Sequence, residues 1–233
     1  MGINVSSIRS NMKRLGYKIA QLSEYGLPED RLDLSGDRDI EWAWIAANIP
    51  AKPGNVLDFG PATSYLGLIA AMAGGDVTGL DITPQAVPFR HPKLRVVAGD
   101  LTSYDFGAKR FDTVVNCSTT EHVGLAGRYG SQPNPDGDLK AMAIMRGLMA
   151  GPDARMLFTI PVGVDAVVEP YHRIYGATRL PKILQGYRCE REEYFAKLSG
   201  ENRWQPVDKA TALAVEGSSS FYALGLFVLA PQP

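Results

Sequence analysis

The stretch Gly54-Asn55-Val56-Leu57-Asp58-Phe59-Gly60-Pro61-Ala62-Thr63-Ser64-Tyr65 decides the fold. A short apolar run that ends in an acid and meets Gly and Pro reads as a buried strand, 56–59, stopped by a tight turn. Residues 65–73 then carry the apolar content of a packed helix. Outward from this unit the pattern repeats. Strands are predicted over 76–81, 94–98, 111–116 and 156–161, with a helix over 138–149 before the last. Such alternation predicts an α/β domain: a doubly wound, Rossmann-like, mainly parallel sheet covered on both faces. Residues 221–229 read as one more strand, antiparallel, because no helix has to precede it.

Upstream the pattern is helical. Ile8, Met12, Leu15, Ile19 and Leu22 share one helix face, and Gly26-Leu27-Pro28 breaks that element. A second helix is predicted from about 39 to 48, with Trp42 and Trp44 expected in the core. The reading divides the chain into a helical extension, 1–50, and a main domain, 51–233.

Composition narrows the function classes. Hydrophobic residues make up 45% of the 233 and charged residues 21%, which excludes a disordered chain. Lys and Arg total 24 against 25 Asp and Glu, a net charge of −1 that lacks the basic footprint of a nucleic-acid binder. No apolar run approaches the ~20 residues of a membrane span. The first 25 residues contain no apolar signal core, and Cys117 and Cys189 are too few for a disulfide framework. A cytoplasmic protein is the expectation.

In open α/β sheets ligands bind beyond the carboxyl ends of the strands. The loop after the first strand is not G-x-G-x-x-G and has no P-loop lysine. Acids follow in order at the strand ends: Asp58, Asp81 and Asp100. Together with Asn116 to Thr120 after the fourth strand, this order resembles class I S-adenosylmethionine-dependent methyltransferases. Asp58 and Gly60 match their first motif, while Ala62 and Ser64 stand where later glycines are usual. The resemblance implies a cofactor site built from Asp58, Phe59, Gly60, Pro61 and Ser64. Asp81 and Ile82 would meet the ribose, Asp100 and Leu101 the adenine, and Asn116 and Ser118 the methionine part. It also implies that the N-terminal helices cover the cofactor or form a homodimer contact.

The segment Ser118-Thr119-Thr120-Glu121-His122-Val123-Gly124 and the later Glu169-Pro170-Tyr171-His172-Arg173-Ile174-Tyr175-Gly176 extend the resemblance. Many class I methyltransferases carry a Glu-His pair after strand four, and in some it binds a divalent metal. The fuller set looks like a branch associated with polysaccharide biosynthesis, sugar 1-O-methyltransferases of methylmannose polysaccharide synthesis among them. It implies methyl transfer to a hydroxyl of a sugar or oligosaccharide. The Asn/Asp-Pro-Pro-Tyr/Phe signature of base and glutamine amino-group methylation is missing, since Asn116-Cys117-Ser118-Thr119 stands there.

A hydroxyl is a weak nucleophile near neutral pH and gains from a base or a metal. His122 or His172 could take its proton, with Glu121 beside them. Alternatively Glu121, His122 and His172 could ligate Mg or Mn, with Asp136 or Asp138 joining if the ion is Mg. Arg128, Tyr129, Arg173 and Tyr175 are expected to line the acceptor pocket. His91 is expected at the surface, and Arg179, Lys182, Arg188 and Arg191 on a solvated face. Two other readings stay open: a phenol or quinone O-methyltransferase, and a cofactor-binding scaffold without catalysis, motivated by Ala62 and Ser64.

Overall fold

The computed structural model describes residues 36–84, 89–125, 129, 133–197 and 202–232. The helix expected at 8–22, the turn at 26–28 and Arg128 lie outside the described residues.

The chain opens with α1 (Asp37–Asn48) and enters the sheet at β1 (Asn55–Phe59). There follow α2 (Leu66–Met72), β2 (Asp76–Asp81), β3 (Leu94–Ala98) and β4 (Thr113–Cys117). A single 3-10 turn, Thr120–His122, precedes α3 (Gly137–Leu148) and β5 (Arg155–Val162). The small hairpin β6 (Ala166–Val168) and β7 (His172–Ile174) comes next, then α4 (Arg179–Ile183). The chain closes with β8 (Tyr187–Lys197), β9 (Trp204–Val207), α5 (Lys209–Leu213) and β10 (Ala223–Pro231).

Eight strands form one sheet in the order β3-β2-β1-β4-β5-β10-β8-β9. The first five are parallel; β10 slots between β5 and β8 antiparallel to both, and β9 returns antiparallel to β8. This is the doubly wound α/β architecture, with the antiparallel strand at the C-terminus. Period-two alternation builds two cores. Leu57, Val114, Met156 and Phe227 face α3, α4 and α5, whereas Val56, Val115, Leu157 and Leu226 face α1 and α2. Because both faces are covered, β1, β4 and β5 read as continuous apolar runs. Among the described residues no helix is long and apolar enough to cross a membrane.

Helix α1 packs as part of this core. Trp44 and Ile45 are buried against the sheet, and the Trp44 indole N–H donates to Glu193 on β8 at 3.0 Å. Between them Glu41, with no exposed surface, accepts hydrogen bonds from Ser118 at the end of β4 and from Thr159 on β5, the latter at 2.8 Å. Arg38 pairs with its other oxygen at 2.6 Å. Burial pushes the Glu41 carboxyl up, and Arg38 pulls against that shift. Removing this carboxylate leaves the Ser118 and Thr159 hydroxyls without their acceptor, at ~1–3 kcal/mol each, while half-exposed Arg38 can turn to solvent. Glu41→Ala is therefore expected to lower the melting temperature by about 10 °C. Glu41→Gln, which keeps an acceptor oxygen for Ser118 and Thr159, should lose less than half of that in the same calorimetric scan.

Candidate active site

The strand order reverses direction between β1 and β4, and the crevice of a doubly wound sheet lies at that switch point. A cavity of about 310 Å³ sits there, over the carboxyl ends of β1 to β4 and beneath α1. That volume suits a small-molecule ligand. Asp58, Phe59, Gly60, Pro61, Ser64, Asp81, Ile82, Asp100, Leu101 and Ser118 all contribute to its wall, as do His122 and Tyr129.

The wall is shaped by backbone geometry. Gly60 has φ 65, and a Cβ there would collide with Thr119, so the loop after β1 touches the loop after β4. Ala62 holds φ 45, a left-handed conformation that explains why glycine suits this position. The Asp81 carboxylate takes the Ala62 N–H at 3.0 Å and the Thr83 N–H at 2.8 Å, tying the end of β2 to the first loop. Asp100 Oδ1 accepts from the Thr102 N–H at 2.7 Å and the Thr102 hydroxyl at 2.8 Å. Ser64 Oγ is buried in the wall with no hydrogen-bond partner among the described residues.

Five expected site residues sit elsewhere, buried off the wall: Asn116, Glu121, His172, Arg173 and Tyr175. Asn116 is fully buried behind the wall, its Nδ2 donating to Thr120 Oγ1 at 2.7 Å. Tyr175 is in the core with its hydroxyl on Asp138 at 2.8 Å. Arg173 is also buried, its guanidinium donating to four main-chain carbonyls. Neither Arg173 nor Tyr175 lines the acceptor space, because their polar atoms are consumed inside the protein. Arg179 likewise leaves the solvated face expected for it and forks onto buried Asp138 at 2.9 and 2.6 Å.

The two histidines part company as well. His122 lines the cavity, with its ring 5.2 Å from that of Tyr129. Its Nδ1 lies 2.6 Å from the Tyr171 carbonyl oxygen, and its Nε2 is 3.6 Å from Glu121 Oε1. His172 instead is buried on β7 with Nε2 on the Ser218 carbonyl at 3.0 Å. The Glu121, His122 and His172 metal set is therefore not assembled. Asp138 is engaged by Arg179 and Tyr175, and among the described residues no three His, Cys, Asp or Glu are grouped to hold a metal.

Arg38 also lines the wall and was not singled out from the sequence, while Cys117 and Thr119 belong to the stretch 116–120 expected there. Trp42, expected in the core, meets Tyr65 edge to face at 4.8 Å at the cavity rim. An Arg38-x-x-Glu41 pair at helical spacing was the available signal for a charged side chain held on this face. The Cys117 thiol is pushed well up by burial, with Glu41 adding to the shift, and stays protonated.

Asp58 stands in the cavity wall with its carboxyl buried. Burial raises its carboxyl to about 7, against a hydrogen bond from the Gly67 N–H that favours the charged form; Asp81 adds to the rise. A Cβ on Gly67 would come within 2.7 Å of the Asp58 carboxylate, so glycine permits that approach. The folded chain holds this proton more tightly than the unfolded chain, whose aspartates titrate near ~3.9. The stabilisation is complete below that pH and is lost as pH rises towards about 7. Subtracting Asp58→Asn from wild type in urea unfolding should isolate a fall of about 1.4 kcal/mol per pH unit across this window. A flat difference would show that Asp58 titrates as an ordinary aspartate.

Comparison with curated proteins finds no match. Among solved structures, the chain resembles the Burkholderia thailandensis 1,6-didemethyltoxoflavin-N1-methyltransferase with bound 1,6-didemethyltoxoflavin and S-adenosylhomocysteine. The likeness covers 100% of this chain and 93% of that one, at 14% identity and a TM-score of 0.52. A TehB-like SAM-dependent methyltransferase from Corynebacterium glutamicum matches at 17% identity over 96% of this chain and 100% of its own, TM-score 0.51. The N-methyltransferase NodS from Bradyrhizobium japonicum matches at 12% identity over 86% and 99%, TM-score 0.56. At such identities the likeness is one of fold, the fold of S-adenosylmethionine-dependent methyltransferases. Over residues 95–219, more than half of its length, the sequence matches the family described as Caenorhabditis protein of unknown function, DUF268, and the chain belongs to that family.

Proposed function

We propose that the chain is an S-adenosylmethionine-dependent O-methyltransferase whose acceptor is a hydroxyl of a sugar or oligosaccharide, with His122 as the base. The observation that carries this reading is the placement of His122. It stands on the wall of the switch-point cavity with Nδ1 tied to a carbonyl, so that the neutral ring keeps its lone pair on Nε2.

The cavity fits the cofactor chemically. Ser64 brings a buried hydroxyl without a partner among the described residues, Asp81 brings carboxylate oxygens for vicinal hydroxyls, and Arg38 is the one guanidinium in the described wall for a carboxylate. S-adenosylmethionine supplies an electrophilic methyl group whose thioether leaving group is neutral and needs no acid. What remains for the chain is to orient a hydroxyl and remove its proton, which His122 does near neutral pH. Trp42 and Tyr129 offer ring surface to the C–H face of a sugar, and Arg38 offers donors to its oxygens. Metal assistance plays no part in the proposal, because the three side chains expected to ligate are divided between the cavity and the core.

S-adenosylhomocysteine at ~100 times its dissociation constant should stabilise the fold by about 2.7 kcal/mol in a thermal melt. Absence of any shift would refute the cofactor assignment. His122→Ala is expected to keep that affinity and to reduce turnover on sugar acceptors at least ~100-fold. His172→Ala should act on melting temperature rather than on the pH dependence of turnover. A product methylated on nitrogen would overturn the oxygen acceptor and leave the cofactor assignment standing.

A further inference from the structure

We propose that Arg173 is a positioning residue for His122, and that the β6–β7 hairpin sets both the tautomer and the aim of that imidazole. The inference rests on His122 being the base, but its geometry stands without it. Arg173 Nη1 donates to the Glu121 carbonyl at 3.2 Å and the Val123 carbonyl at 2.7 Å, the residues on either side of His122. Nη2 reaches the carbonyls of Asn134 at 3.1 Å and Pro135 at 3.4 Å, where the same loop turns into α3. A guanidinium is costly to bury unless its donors are met. Here they are met by main-chain oxygens that bracket the imidazole-bearing residue, with Asp138 3.9 Å from Nε as counter-charge.

Two residues earlier on the same hairpin, the Tyr171 carbonyl lies 2.6 Å from His122 Nδ1. A carbonyl only accepts, so Nδ1 carries the proton in the neutral ring. Between these two contacts His172 turns the other way, its Nε2–H on the Ser218 carbonyl, and anchors the hairpin to the segment before β10. One short hairpin thus holds His122 twice, by its backbone through Arg173 and by its ring through residue 171. Lysine would keep the charge at 173 and lose the planar fork that spans separate carbonyls.

The test is nitrogen-15 NMR of the histidine side chains in the full chain, with His122 identified by the signal lost in His122→Gln. Wild type is expected to show the Nδ1–H tautomer at His122. Arg173→Lys should move it towards a mixture with Nε2–H, lower kcat between ~10- and ~100-fold, and leave the S-adenosylhomocysteine Kd within about twofold. A wild-type Nε2–H tautomer overturns the proposal without any variant. So does a folded Arg173→Lys protein with unchanged tautomer and kcat. If Arg173→Lys does not fold, solvent exchange of the Arg173 Nη protons in wild type decides: slow exchange supports the bracket, and exchange as fast as an exposed arginine overturns it. An Nδ1–H tautomer in a chain that binds no S-adenosylhomocysteine would sink the methyltransferase reading and keep the positioning role.

Discussion

The Glu41 carboxylate is where helix, sheet and cavity are joined. Itself fully buried, it receives the hydroxyls of Ser118 and Thr159 and the guanidinium of half-exposed Arg38. Ser118 holds φ 42, a left-handed conformation that an L-residue adopts only when its surroundings compel it. Its N–H on the Thr159 carbonyl at 3.1 Å and its hydroxyl on Glu41 supply that compulsion. The turn sends the chain out of β4 so that Thr119 lies against Gly60 and His122 faces the cavity, with Glu121 buried behind it. The same carboxylate holds Arg38 and, through α1, Trp42 over that cavity.

Behind the post-β4 loop, charge is balanced in the interior. Asp138 and Glu121 are buried carboxylates, and Arg173 and Arg179 bring two guanidinium groups to the same region. Asp138 is fully satisfied by the Arg179 fork and the Tyr175 hydroxyl, and burial together with Asp138 drives the Tyr175 phenol well up. The carbonyls of Glu121, Val123, Asn134 and Pro135 turn inward, and each needs a donor. Arg173 meets that need with one side chain where a helix or sheet would have used many backbone N–H groups.

Buried parallel strands are easy to read because both faces demand apolar residues. β2 and β3 coincide with the predicted spans, and β1, β4 and β5 differ by one or two residues at their ends. β8 was illegible for the opposite reason. Its run Arg188-Cys189-Glu190-Arg191-Glu192 is exposed, and pairing with β10, not an apolar pattern, makes it a strand. Cavity residues on strand ends were legible because topology puts them there. Arg173 and Tyr175 were not, since nothing local distinguishes a pocket arginine from one whose counter-charge, Asp138, lies 35 positions away in the chain. His122 and His172 looked equivalent in sequence, and only the register of a three-residue hairpin separates them.

The oxygen that fixes the His122 ring belongs to the main chain. Every amino acid at position 171 presents the same carbonyl, so no side-chain replacement deletes it and selection on that contact is silent at that site. What can disturb the contact is a change in the path of the hairpin, which Arg173 ties to the main chain on either side of His122.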